Sequence, residues 1–419
     1  MAELLVRNIG QLVTPLQANC DQRFREVHVL PHAAILIRDG RIAEIGSEEQ
    51  IASHAASDVP TYDSRGRVVL PGLIDSHTHP VYVGNRAQEF YLRNAGKSYL
   101  EIAAAGGGIQ TTARKVNEAS VEQIIEESLP RFRRSLTQGV TTLEAKSGYG
   151  LEWRAELKLL TAIAQISSHV PQRVVTTFLV HALPVKYAGC RAEYIELVVS
   201  GMLPVVAGEK RASTVDVFCE DGAFTTDEAR RILLGARDHG LQMTVHANQF
   251  GHSGGARLAA EIGARSVSHV EFLNEEEMDA LAAGRVTAII LPGCVFYLGT
   301  LPYPPARAMI DHGLRVAIAT DMNPGSSMTE SLCFCLTAAA IYCRMTPEEL
   351  LWSVTLDAAS AIGVEQDCGS IEQGKSADLS FWDLPDYQSL AYHFGTLRAA
   401  ATMVNGLVVW EDFDADRRD

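Results

Sequence analysis

Val69-Leu70-Pro71-Gly72-Leu73-Ile74-Asp75-Ser76-His77-Thr78-His79-Pro80 is an apolar run that stops on two histidines separated by one residue. Side chains alternate faces along a strand, so His77 and His79 project the same way and can grip one ion while Thr78 points away. Two histidines hydrogen-bonded at a strand end would look the same. What the rest of the chain brings to them decides the reading.

Beyond this run, β-rich apolar stretches alternate with helical ones, the pattern of a parallel α/β fold. Eight stretches qualify: 69–77, 140–146, 174–181, 215–220, 242–247, 266–270, 286–291 and 315–320. Eight parallel strands predict a (β/α)8 TIM-like barrel, with its active site at the strands' C-terminal ends. Thr225 with Glu228, and Thr346 with Glu349 behind Pro347, fit capping boxes that start helices. Gly240 and Gly313 are placed to end helices just before a strand. The segment 80–139 is long for one connection and implies a large loop-and-helix insertion.

Both chain ends read differently. Asp39-Gly40 and Asn405-Gly406 are two-residue hairpin turns between short apolar strands. Neither end is long enough for a good core, so the two are expected to pair in a small β-sandwich domain. That gives residues 1–68 and 367–419 to the small domain and 69–366 to the barrel.

The composition narrows the function. A net charge of −15 over 419 residues argues against nucleic-acid or anionic-membrane surfaces, so an anionic substrate needs specific arginines. The N-terminus lacks a basic stretch followed by a sustained apolar one, and no apolar run reaches membrane-spanning length. A cytoplasmic protein is expected. Eight cysteines are scattered without CxxC spacing, which fits buried free thiols better than a disulfide framework.

On the predicted barrel, His77, His79, His181, His246, His269 and Asp321 all fall at strand C-terminal ends. Histidines with one aspartate suit a divalent ion with a position left for water, which such an ion ionises near neutral pH. Asp321 can bind the metal and take a proton. His269 is not needed as a ligand, and can stabilise a developing oxyanion or shuttle a proton.

These features resemble the amidohydrolase superfamily: the Pro-Gly-Leu-Ile-Asp-Ser-His-Thr-His start, His246, His269, Asp321 and the C-terminal Gly369–Leu379 stretch. Within it, Gly84-Asn85-Arg86, the 98–109 stretch, Lys146-Ser147-Gly148-Tyr149-Gly150, Asp216–Glu220 and Asn323-Pro324-Gly325-Ser326-Ser327 are similar to the imidazolonepropionase family. The resemblance covers nearly the whole chain. It implies hydrolysis of the cyclic amide of 4-imidazolone-5-propanoate to N-formimino-L-glutamate in histidine degradation, with one zinc or iron ion. Both metals suit such a ligand set. It further implies His77, His79, His246 and Asp321 as ligands, Arg86, Tyr149, His181, Gln249, Asn323, Gly325 and Ser326 as substrate contacts, and a homodimer.

The residues themselves bear on these roles. Arg86 can clamp a propanoate carboxylate through two parallel hydrogen bonds, or pair with Glu89 or Asp75. Tyr149 can cover the core at a turn or reach into the pocket. Gly106-Gly107-Gly108 lacks dinucleotide-fingerprint spacing and suits tight turning instead. Many relatives carry an aspartate and a glutamate two and three residues after the strand-five histidine, where this chain has Asn248 and Gln249. An amide cannot act as a general base, which leaves proton transfer to Asp321 with His269 assisting. A deaminase of the same superfamily acting on a nucleobase-like or aminoimidazole ring is the alternative enzyme, and Gln249 argues against it. A non-catalytic scaffold would be marked by lost ligands, and all four positions are filled.

Overall fold

A computed structural model describes residues 3–19, 25–97, 101–102 and 107–412. Most of the 98–106 stretch, including Gly106, lies outside the described residues. All eight expected stretches contribute a barrel strand: Leu73–Asp75, Val140–Lys146, Arg173–Val180, Thr214–Cys219, Gln242–Ala247, Ser266–His269, Thr287–Ile290 and Val316–Ile318. Each pairs in parallel with the next, in chain order. No ladder joins the eighth strand to the first. That seam is closed instead by the Asp75 carboxylate, which accepts from the Thr320 amide at 3.0 Å and hydroxyl at 2.6 Å. Just above, Asp321 N donates to His77 O at 3.1 Å and His79 N to Met322 O at 2.9 Å. The seam therefore seats both histidines beside Asp321.

The opening run divides where a single strand was expected. Val68–Pro71 joins the other sheet and only Leu73–Asp75 enters the barrel. Gly72 is the pivot, because a Cβ there would lie 2.2 Å from the Thr141 hydroxyl oxygen. Its amide donates to Asp378 O at 2.8 Å, tying the bend to the chain's far end.

Both ends build one mixed sheet. Val68–Pro71 pairs in parallel with Glu3–Thr14 on one side and antiparallel with Leu379–Trp382 on the other. Ile9, Leu12 and Ile35 from the N-terminal part meet Leu379, Phe381 and Met403 from the C-terminal part in one buried core. The Asp39-Gly40 and Asn405-Gly406 turns both run through positive φ, as two-residue hairpins demand.

Thr225 and Thr346 form complete capping boxes, and Gly240 and Gly313 take positive φ after their helices. The 80–139 segment is the loop-and-helix insertion expected. It holds helices Ala87–Asn94, Ile109–Glu118 and Val121–Leu136, the last packing along the neighbouring helix Trp153–Ser167. The seven described cysteines are free. No helix among the described residues is long and apolar enough to cross a membrane.

Candidate active site

Five histidines and Asp321 converge at the barrel's C-terminal mouth. The His77 ring centroid lies 4.4 Å from that of His246, 5.2 Å from His79 and 5.9 Å from His269. His181 stacks on His79 at 5.6 Å, and Tyr149 packs against both rings. Asp321 Oδ1 is 3.4 Å from His79 Nε2 and 3.6 Å from His77 Nε2. Its other oxygen accepts from Asn323 Nδ2 at 3.0 Å and the Ser326 hydroxyl at 3.3 Å, so Oδ1 is the one aimed at the histidines.

These donors fit a divalent ion. His77, His79 and Asp321 offer ligand atoms within 4.8 Å of one another, as do His77, His246 and His269. The Nε2 atoms of His77 and His246 are fully buried with no hydrogen-bond partner among the described residues, a costly state for polar atoms. Burial holds His77, His181 and His246 below the usual histidine pKa, His246 at about 4. The neutral imidazole is the metal-binding form.

Residues of other strands fix the rings. His77 Nδ1 lies 2.9 Å from the Ser268 hydroxyl, and His246 Nδ1 lies 2.9 Å from Asp216 Oδ2. Behind them Lys146, 1% exposed, reaches Asp216 and Glu144, both at 2.7 Å. Three charges buried this deeply hold one another, and their sum leaves Asp216 anionic beside His246.

The site also has an anion-facing wall. Arg86 pairs with Glu89 at 2.7 Å, one of the two alternatives its sequence position left open, and Glu89 in turn accepts from Gly108 N at 3.1 Å. The guanidinium lies against Gly325, where an added Cβ would sit 2.2 Å from Nη1. Arg93 donates to Gly325 O at 2.9 Å and keeps a second buried nitrogen without a partner. Two arginines thus flank one glycine.

Gln249 sits apart from the ring cluster. Its amide nitrogen Nε2 is 3.8 Å from Cys294 Sγ, and its backbone N donates to Glu220 at 2.7 Å. Burial, with Asp321 and Glu271 nearby, pushes the Cys294 thiol up, away from the thiolate form. Asn248 is structural: its side chain donates to Phe272 O at 2.7 Å, a bond that an aspartate there could not make.

Sequence reading missed Arg93, Ser268, Glu271 and the Lys146–Asp216 pair as contributors. Asp216 and Lys146 stood inside quoted motifs. A charged residue in the middle of an otherwise apolar barrel strand was the available signal.

Residues 68–409 match the amidohydrolase family. The chain belongs to that family. Its amidohydrolase relatives include the imidazolonepropionase of Shouchella clausii, 41% identical over 98% of this chain and 94% of the relative. The imidazolonepropionase of Shewanella frigidimarina is 42% identical over 91% and 93%. Within the amidohydrolases the chain therefore groups with imidazolonepropionases. The fold is shared more widely. Escherichia coli guanine deaminase superposes with a TM-score of 0.74 at 17% identity, over 97% of this chain and 99% of that one. A zinc-bound adenosine deaminase from Xanthomonas campestris gives 0.70 at 18% identity, over 99% and 95%.

Proposed function

We propose that this amidohydrolase opens the ring of 4-imidazolone-5-propanoate to N-formimino-L-glutamate in histidine degradation, using one divalent ion, zinc or iron, held by His77, His79, His246 and Asp321. The observation that carries the reading is about 41% identity to an imidazolonepropionase over nearly the full chain. The donor set and the two arginines at Gly325 support it. The reading extends to a cytoplasmic homodimer, the dimer resting on the resemblance alone.

When bound, the ion supplies Lewis-acid polarisation of the ring carbonyl and an acidified water. The remaining work falls to side chains. Arg86, immobilised by Glu89 against Gly325, pairs the propanoate carboxylate, with Arg93 reinforcing the same anionic end. Tyr149 and His181 border the space over His79 and orient the ring. Asp321 takes a proton from the attacking water as oxygen bonds to the carbonyl carbon. The C–N bond then breaks, its electron pair stays on nitrogen, and that nitrogen receives a proton from Asp321 with His269 assisting. Gln249 contributes hydrogen bonds only. Asn323 and Ser326 hold Asp321 as well as bordering the substrate.

The test is turnover of freshly prepared 4-imidazolone-5-propanoate, followed by its ultraviolet absorbance, with metal content measured on the same sample. Chelator-sensitive formation of formiminoglutamate is expected. A metal-loaded protein that leaves this substrate intact, or releases ammonia from an aminated ring instead, overturns the reading.

A further inference from the structure

Glu271 is a buried carboxylate that the reading above leaves without a role. Its side chain is 4% exposed, and its Oε1 faces His269 Nδ1 at 3.5 Å. His269 Nδ1 and Glu271 Oε2 are both buried without a hydrogen-bond partner. The two groups therefore have each other and little else, which is costly unless the pairing is used. Glu271 also lines a cavity together with Gln249 and Cys294.

The backbone is built to put it there. His269 and Val270 both take positive φ, 76° and 54°. For a β-branched residue such as Val270 this conformation is strained, and strain of this kind persists only where the surroundings enforce it. Asn248 enforces it. Val270 N donates to Ala247 O at 3.1 Å and Phe272 N to Asn248 O at 3.1 Å, while Asn248 Nδ2 returns a bond to Phe272 O. The double left-handed turn ends the strand at His269, and past it Glu271 Oε1 comes to 3.5 Å from His269 Nδ1.

We infer that Glu271 is the positioning residue for His269, accepting its Nδ1–H and so fixing the ring and tautomer that present Nε2 to the histidine–Asp321 cluster. A carboxylate holding one imidazole nitrogen while the other works is a general arrangement for histidine acid–base chemistry. In this chain it compensates for Gln249: the carboxylate missing after strand five is supplied after strand six, acting through His269 and not on the substrate.

The inference rests on the proposed hydrolysis for its kinetic test, so a second measurement is independent of substrate. Glu271→Met removes the acceptor at similar volume, and Glu271→Gln keeps a neutral acceptor. With 4-imidazolone-5-propanoate, Glu271→Met is expected to lower kcat about 10- to 100-fold with KM and bound metal little changed, and Glu271→Gln to recover part of the loss. In a His269→Ala background, Glu271→Met should add less than about a twofold effect. Ring-15N NMR of the zinc-loaded protein, with the His269 signal assigned by its absence from His269→Ala, should show an Nδ1-protonated ring in wild type and a changed ring in Glu271→Met. An unchanged His269 signal overturns the inference, as does equal loss in the wild-type and His269→Ala backgrounds. If wild type fails to hydrolyse the imidazolone, the functional reading falls while the NMR comparison still decides the role of Glu271.

Discussion

Asp75 and Thr320 join the first and eighth barrel strands through two hydrogen bonds, at 2.6 and 3.0 Å, where no strand ladder runs. The bond between Asp321 N and His77 O sits one step above this clasp. Barrel closure and assembly of the donor cluster are thus one structural event. Asp75→Ala leaves the buried Thr320 amide and the Thr320 hydroxyl proton without their acceptor, at about 1–3 kcal/mol, although the hydroxyl oxygen still accepts from Met322 N. Urea unfolding should register that loss, and metal retention should fall in the same variant. A destabilised variant with full metal content would separate closure from the site.

Lys146 makes a second coupling between core and site. Replacing it with Met leaves Glu144 and Asp216 as buried anions without their cation, and breaking a buried pair in this way costs about 3–5 kcal/mol. Asp216 also loses the partner that fixes it beside His246. The variant should unfold at lower denaturant and bind metal about 10- to 100-fold more weakly. Metal titration of refolded protein measures the second effect directly; unchanged affinity would confine Lys146 to stability.

How much of this was legible in the sequence follows from what each residue does locally. The strands at 140–146 and 242–247 coincide with the runs read from the sequence, because Val140, Leu143 and Ala145 in one and Met243, Val245 and Ala247 in the other enter the main buried core. The 69–77 run was not divisible by eye, since Val68–Pro71 and Leu73–Asp75 are equally apolar and only the tight approach of Gly72 to Thr141 separates them. His77, His79 and Asp321 were readable from strand-end position. Glu271 was not: its approach to His269 is set by a turn through positive φ at His269 and Val270, a conformation that neither residue announces.

Arg86 and Gly325 should separate binding from chemistry. Gly325→Ala forces a methyl into the space of the Arg86 guanidinium, 2.2 Å from Nη1 before any shift. Arg86→Met removes the charge outright. Both should raise KM for the imidazolonepropanoate more than they lower kcat, the mark of an interaction made equally in ground and transition states. A matching variant series on a substrate ester, lacking the carboxylate, should show little difference.

His269 and Asp321 differ in what they are expected to hold. His269→Ala should lower turnover far more than bound metal, whereas Asp321→Ala should reduce both. Both residues fall in three-donor groupings that include His77. Equal metal loss in the two variants would make His269 a ligand and displace it from proton transfer.

Arg25 and Asp357 carry a pH dependence away from the metal. Their side chains, 6% and 4% exposed, meet at 3.4 Å where the N-terminal segment crosses the barrel, and Arg25 also lies over Trp352. Burial pushes Asp357 up to about 6 even with Arg25 beside it. Between its ordinary range near 3.8 and about 6, the folded state therefore holds a proton that the unfolded state has released. This group's contribution to stability is full below the unfolded value and declines as pH rises through the folded one. Arg25→Met removes one of the two arginines that act on the carboxylate, Arg315 being the other, raises its folded value further and extends the decline upward. The substitution should cost about 3 kcal/mol at pH 8, where the buried anion keeps only Arg315 and the Val316 amide, and distinctly less at pH 5, where protonation relieves it. Chemical denaturation at the two pH values measures the difference; a cost that is equal at both, or larger at pH 5, would show that Asp357 stays ionised throughout.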